Sequence, residues 1–202
     1  MTPIAVDVVL LPERAVADKA IAINRLLVER FGAEIVLDAT TCMPHISLSM
    51  GCIDPMDADA IGHVLREIAM ENPLGTLAVI GTAVLVNAKG QKVSSFIVDK
   101  TEPLQRLHEQ VMRRLSPFFT YHVTESMLYG RGPIAPTTLA WIRDFPSTSS
   151  LAWFLPHITL GYGQAPAIDL PFGFTVSKLA LCHLGNHCTC RKVLTSVEWA
   201  GR

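Results

Sequence analysis

Two nine-residue phrases in this sequence hold side chains that could do chemistry together: MPHISLSMG at 43–51 and LPHITLGYG at 155–163. Both read apolar–Pro–His–Ile–hydroxyl–Leu and both end on glycine; their histidines, His45 and His157, stand 112 positions apart. In an extended strand, side chains alternate faces. His45 therefore shares a face with Ser47, and His157 with Thr159, about 7 Å apart along the backbone. Ile46, Leu48, Ile158 and Leu160 then point the other way, into a core. Two imidazoles and two hydroxyls on one cleft suit phosphoryl chemistry. Histidine titrates near neutrality, so a neutral ring can take a proton from the attacking oxygen while a charged ring gives one to the leaving oxygen. The hydroxyls would donate to the nonbridging phosphate oxygens, where charge must be stabilised. A single His-x-hydroxyl unit in an apolar strand is commonly a packing feature. Two units in matching frames are much harder to produce by packing alone. Pro44 and Pro156 restrict how the chain enters each strand.

These phrases need elements to hold them. Residues 4–11, IAVDVVLL, read as a strand with an acid in its middle. A helix follows, with Ile21, Leu26, Leu27 and Phe31 at helical spacing and Gly32 placed to end it. The first phrase forms a strand over 45–53. Asp54 and Pro55 are an N-cap and first-turn pair for a second helix carrying Ile61, Val64, Leu65 and Ile68. TLAVIGTAVLVNAKGQKVSSFIVD reads as two strands joined at NAKGQK. A third helix carries Leu104, Leu107, Val111 and Leu115. The segment 120–151 is less regular: a strand over Tyr121–Leu128, a break at GRGPIAP, a short helix over Thr137–Phe145 and a loop at PSTSS. The second phrase is a strand over 157–163, and two further strands cover about 173–184 and 187–199. Strands and helices mix without strict βαβ alternation, which predicts an α+β fold with mainly antiparallel sheet.

Composition narrows the partners. The chain has 202 residues, half of them hydrophobic and 17% charged, with a formal net charge of −1. That is enough for one compact domain or two small lobes with a real core. A protein that grips a long duplex carries a basic excess; its absence favours a small or short anionic ligand and no DNA duplex. Five cysteines are too few and too odd in number for a secreted disulfide scaffold. The first residues lack a signal-peptide pattern, and no apolar run spans a membrane. A soluble, cytoplasmic protein with reduced thiols and no membrane partner is expected.

At His45-Ile46-Ser47-Leu48 and His157-Ile158-Thr159-Leu160 the sequence resembles the two-histidine (2H) phosphoesterase superfamily, the 2′-5′ RNA ligase-like and cyclic phosphodiesterase proteins, whose signature is two copies of His-x-Ser/Thr-x with hydrophobic x. The resemblance covers nearly the whole chain in element order. It implies one bilobal α+β domain over 1–202, with two pseudo-two-fold-related lobes of antiparallel sheet flanked by helices and an active cleft between them. It further implies cleavage or formation of RNA-type phosphodiesters, with His45 and His157 as acid–base pair and Ser47 and Thr159 as phosphate holders. No metal or organic cofactor is expected, and the substrate would be a small nucleotide or short RNA end taken by a monomer. Which histidine is acid depends on substrate orientation; His157 is read as base and His45 as acid. The gap between the motifs is longer than in compact members, and the excess falls in 120–151, as a lid or specificity element. The lack of an obvious basic patch argues against long-RNA ligation. A 2′-5′ ligase or a non-catalytic nucleotide-binding module are the alternatives.

Other residues invite roles. By strand parity Tyr162 points to the core unless the strand bulges. Tyr121, Tyr129, Trp141 and Trp153 lie in or beside the irregular segment, where an aromatic could stack on a base; Tyr129 and Trp153 are carried forward as substrate contacts, and Arg131 as a phosphate contact. In CHLGNHCTC, a two-residue Gly185-Asn186 turn would pair Leu184 with His187 and put His183, Cys188 and Cys190 on one face. That spacing matches no standard zinc pattern, so no metal is assigned there. His63 and His108 read as surface or packing residues, and His122 is left open.

Overall fold

The computed structural model describes residues 2–86 and 90–199. The expected turn at NAKGQK lies partly outside them. The first sheet holds four antiparallel strands in the order β2-β1-β7-β8: β1 is Ile4–Pro12, β2 Ile46–Ile53, β7 Val176–Leu184 and β8 Cys190–Glu198. The second sheet runs β5-β4-β3-β6: β3 is Leu77–Val86, β4 Lys92–Val98, β5 His157–Tyr162 and β6 Phe172–Phe174. The fold is α+β, with helices α1 Arg14–Phe31, α2 Ala58–Glu71, α3 Glu102–Leu115 and α4 Pro136–Thr148 flanking the sheets.

The two sheets interlock through their helices. Helix α1 leaves the first sheet and packs on β5 of the second, while α3 leaves the second sheet and packs on β2 of the first. One continuous apolar cluster therefore takes Val8, Ile46 and Leu48 from one sheet together with Phe96, Ile158 and Leu160 from the other. The four motif residues expected in the core, Ile46, Leu48, Ile158 and Leu160, are fully buried.

Several boundaries differ from the sequence expectation. In α1 the inward face is Val16, Ala20, Ile21, Ile23, Asn24 and Leu27, whereas Leu26 and Phe31 are exposed. Asn24, a polar residue, takes a core position. Residues 121–128 form no strand: only Thr120 bridges to Cys52, and Glu125–Met127 is a 3-10 turn. Helix α4 runs three residues past Phe145 and contains Pro146. The segment expected as one strand from 173 to 184 divides at Thr175, giving β6 to the second sheet and β7 to the first.

The last hairpin also departs from its two-residue turn. Leu184 pairs with Cys190, and His183 with Lys192, across a five-residue connection. Asn186 is used elsewhere: its Oδ1 accepts hydrogen bonds from the Ala135 amide and the Thr138 hydroxyl, both at 2.9 Å, capping the start of α4. That shift brings Cys182 and Cys190 to a Cα separation of 5.6 Å, joined as a disulfide, in place of the expected free thiols. Cys42, Cys52 and Cys188 are free and buried. Among the described residues no helix is long and apolar enough to cross a membrane.

Candidate active site

The register around the two phrases is the same. On β1, Val8 faces Ser49 and Val9 faces Ser47, so Leu48 is an extra residue in β2. On β4, Ser94 faces Gly161 and Ser95 faces Thr159, so Leu160 is an extra residue in β5. Each motif strand thus carries a one-residue bulge directly after its hydroxyl. A bulge reverses the facing of every later residue in its strand. Met50 and Tyr162, both five positions after their histidine, are turned into the cleft instead of away from it. Tyr162 belongs to the main buried cluster, as expected, and through the bulge it also lines the cavity.

A buried polar side chain from the opposite sheet's helix pins each bulge. His108 on α3 donates from Nδ1 to the Leu48 carbonyl (2.8 Å), and its Nε2 accepts from the Leu151 amide (2.7 Å). Asn24 on α1 donates to the Leu160 carbonyl (2.8 Å) and to the Ile35 carbonyl (2.9 Å), and accepts from the Leu37 amide (2.8 Å). His108 is therefore a fully buried structural histidine, stacked on Phe154 at 4.0 Å.

Between the sheets lies a cavity of about 510 Å³ lined by His45, Ser47, His157 and Thr159 together. That volume suits a small-molecule ligand. Each imidazole is held alike: Nδ1 of His45 lies 2.8 Å from the Met43 carbonyl, and Nδ1 of His157 2.8 Å from the Leu155 carbonyl. A carbonyl only accepts, so Nδ1 carries the hydrogen in both rings and Nε2 is left for chemistry. Burial pushes the His45 imidazole down to about 4, and the nearby His157 adds to the effect. Burial also lowers His157. Burial therefore disfavours the charged form of both rings in the empty cleft.

A residue outside both motif phrases sits behind His45. Asp7, the acid in the middle of β1, is fully buried. Its Oδ2 lies 2.6 Å from the Ser47 hydroxyl and 3.8 Å from His45 Nε2. Burial lifts its carboxyl well above the ordinary carboxylate range, against the pull of the Ser47 hydrogen bond. The signal for it in the sequence was a lone acid inside an otherwise apolar strand.

The cleft walls are apolar. Trp141 and Phe145 come from α4, Leu85 and Val86 from β3, and Trp153, Phe154 and Leu155 from the approach to β5. Trp153 stands at the mouth, 71% exposed. The segment 120–151 thus supplies one wall through α4. Among the described residues that line the cavity there is no Lys, Arg, Asp or Glu. At the far end, the Tyr162 hydroxyl meets His187 Nδ1 at 3.1 Å, with Glu34 3.8 Å from His187 Nε2.

Tyr129 and Arg131 are not in this cavity. They line a smaller adjoining pocket of about 290 Å³ that shares Ile35 and Thr189 with it, and Tyr129 packs edge-on against His183. Tyr121 packs against the main core. His183, Cys188 and Cys190 do not converge: His183 Nε2 lies 2.9 Å from the Met127 carbonyl, the Cys188 thiol 3.9 Å from the Thr138 carbonyl, and Cys190 is in the disulfide. Among the described residues no group of three or more His, Cys, Asp or Glu side chains is placed to hold a metal ion.

No family model matches the chain, and no curated protein matches it. Among solved structures, the chain is similar to E. coli LigT, crystallised in apo form, at 10% sequence identity and a TM-score of 0.48, over 98% of each chain.

Proposed function

We propose that this protein is a phosphoesterase that cleaves a 2′,3′-cyclic or 2′-5′ type phosphodiester of a small nucleotide or RNA end, using His45 and His157 as a metal-independent acid–base pair. The observation that carries the reading is the matched pair of bulged strands, each presenting an imidazole with its Nδ1 anchored and a hydroxyl beside it, on one cavity. Water or a substrate hydroxyl attacks phosphorus and loses its proton to one Nε2. The other Nε2–H gives a proton to the leaving oxygen. Thr159 donates to a nonbridging oxygen; Ser47, whose one hydroxyl hydrogen goes to Asp7 in the empty cleft, donates there on releasing that bond. The absence of cationic side chains among the described cleft residues favours a singly charged diester over a doubly charged monoester. The apolar walls, with Trp141 and Trp153, suit a nucleobase or sugar face.

The test is turnover, in EDTA, of 2′,3′-cyclic nucleotides, ADP-ribose cyclic phosphate and 2′-5′ and 3′-5′ dinucleotides, with product analysis for hydrolysis and joining. We expect one class to turn over, and His45→Ala and His157→Ala each to lose at least ~100-fold in kcat with an unchanged melting temperature. Full activity in either variant, or activity that EDTA abolishes and a divalent metal restores, would overturn the proposal.

A further inference from the structure

The bulge register aligns the two halves residue by residue. Asp7 opposes Met50 on β2, and Val93 opposes Tyr162 on β5, each one step before its bulge. The two halves therefore match in His, hydroxyl and bulge, but at this register position the His45 half carries a fully buried carboxyl and the His157 half a partly buried valine. A fully buried carboxyl 3.8 Å from an imidazole nitrogen is a large asymmetry beside a cleft whose described lining residues include no Lys, Arg, Asp or Glu.

We propose that Asp7 is a positioning residue that shares one proton with His45, making the His45 half the proton donor and His157 the acceptor. The assignment of acid and base rests on the two-histidine reading above; the shared proton does not. Asp7 and His45 Nε2 are two basic sites. With one proton between them the pair is neutral overall, as a carboxylic acid beside an imidazole or as a carboxylate beside an imidazolium. A burial site that rejects net charge favours that one-proton state over a bare carboxylate or a doubly protonated pair. Burial lifts the Asp7 carboxyl, in keeping with this. The other groups facing the pair do not replace it. Ser47 on β2 bonds Asp7, Cys188 has a buried thiol that the Asp7 charge would push further up, and Cys182 on β7 is in the disulfide. His157 also faces His45, and its charge lowers the His45 imidazole.

In hydrolysis the atoms and protons balance. A water oxygen forms a bond to phosphorus while its proton goes to His157 Nε2. The bond from phosphorus to the leaving oxygen breaks, its electron pair stays on that oxygen, and the proton arrives from His45 Nε2. Asp7 is left as carboxylate until the pair takes a proton from solvent and His157 returns one.

NMR of the intact protein with ¹³C-labelled aspartate and ¹⁵N-labelled histidine tests this without any substrate. At pH 7 the Asp7–His45 pair should hold one proton beyond Nδ1–H, and Asp7→Asn should abolish the upper titration step at His45 while leaving His157 in place. An ionised Asp7 beside a neutral His45 in the wild type would overturn the proposal even if the variant failed to fold. With a turned-over diester, Asp7→Asn should slow a poor alkoxide leaving group ~100-fold in kcat, and a 4-nitrophenolate leaving group, which needs no proton, less than ~3-fold. Equal losses on both would reject the assignment of the acid. A wild type that turns over nothing rejects the proposed activity, and the titration then decides the proton pair alone.

Discussion

Burial of the two imidazoles sets what pH should do to activity. Both are lowered from the ordinary histidine value, His45 to about 4. A base must be neutral to accept a proton, and a lowered pKa keeps it neutral in more acidic solution. The acid limb of kcat/KM, which reports the free enzyme, should therefore fall below pH 6.5. A limb at or above 6.5 would show that the rings are not desolvated as the cleft implies. Thr159 tests the phosphate-holding role apart from Asp7, since Ser47 is already engaged with that carboxyl. Thr159→Ala should lower kcat ~100-fold with little change in KM, because a hydroxyl aimed at developing charge acts mainly in the transition state.

The bulges are where element structure becomes site structure. Gly161 sits in the β5 bulge at φ +134°, and a Cβ there would lie 2.7 Å from Asn24 Nδ2. Gly161→Ala thus meets both a disfavoured backbone and the side chain that pins the bulge, and should cost about 3 kcal/mol in urea unfolding. Asn24→Ala removes three buried hydrogen bonds, leaving the Leu160 and Ile35 carbonyls and the Leu37 amide without that partner. We expect a loss of about 3 kcal/mol, together with reduced activity as Thr159 and Tyr162 lose their fixed relation. A loss below about 1 kcal/mol would mean that β5 holds its bulge without α1.

At the scale of the molecule, the interlocked helices make folding stability answer to buried histidines. His108 lies far below its unfolded value, at about 4, because burial opposes its charged form. Below about pH 6.5 the unfolded chain binds a proton there that the folded chain refuses, so stability falls as pH drops toward 4. A gap of that size is worth about 3 kcal/mol. Asp7 works in the opposite direction, since its carboxyl is raised. The clean comparison is wild type against His108→Gln, whose stability difference should shrink by about 3 kcal/mol from pH 7 to pH 4. Charge patterning gives a second whole-molecule expectation. With no Lys or Arg among the described cleft residues, kcat/KM should change less than ~2-fold between low and moderate salt, since the described lining itself supplies no cationic steering.

Much of this was legible along the chain. The repeated His-x-hydroxyl phrase, the strand parity that puts Ile46, Leu48, Ile158 and Leu160 inside, and the mixed element order all arise from local pattern, since alternation and helical spacing are properties of neighbours in sequence. The acid in β1 was visible as an anomaly, without a partner to explain it. The features that the linear pattern could not give came from pairing across distance. Bulges at Leu48 and Leu160 exist only relative to β1 and β4, and they turn Met50 and Tyr162 inward against their parity. Asn186, which locally reads as a turn residue, is taken by the start of α4, and the hairpin register moves with it. The desolvation that disfavours the charged form of both imidazoles, and the nearness of Asp7 to His45, arise when segments far apart in sequence exclude water from the same cavity. Local pattern in the sequence singled out the candidate groups; only the tertiary structure decided which of them stand close enough to couple, because electrostatic coupling depends on distance and dielectric rather than on order in the chain.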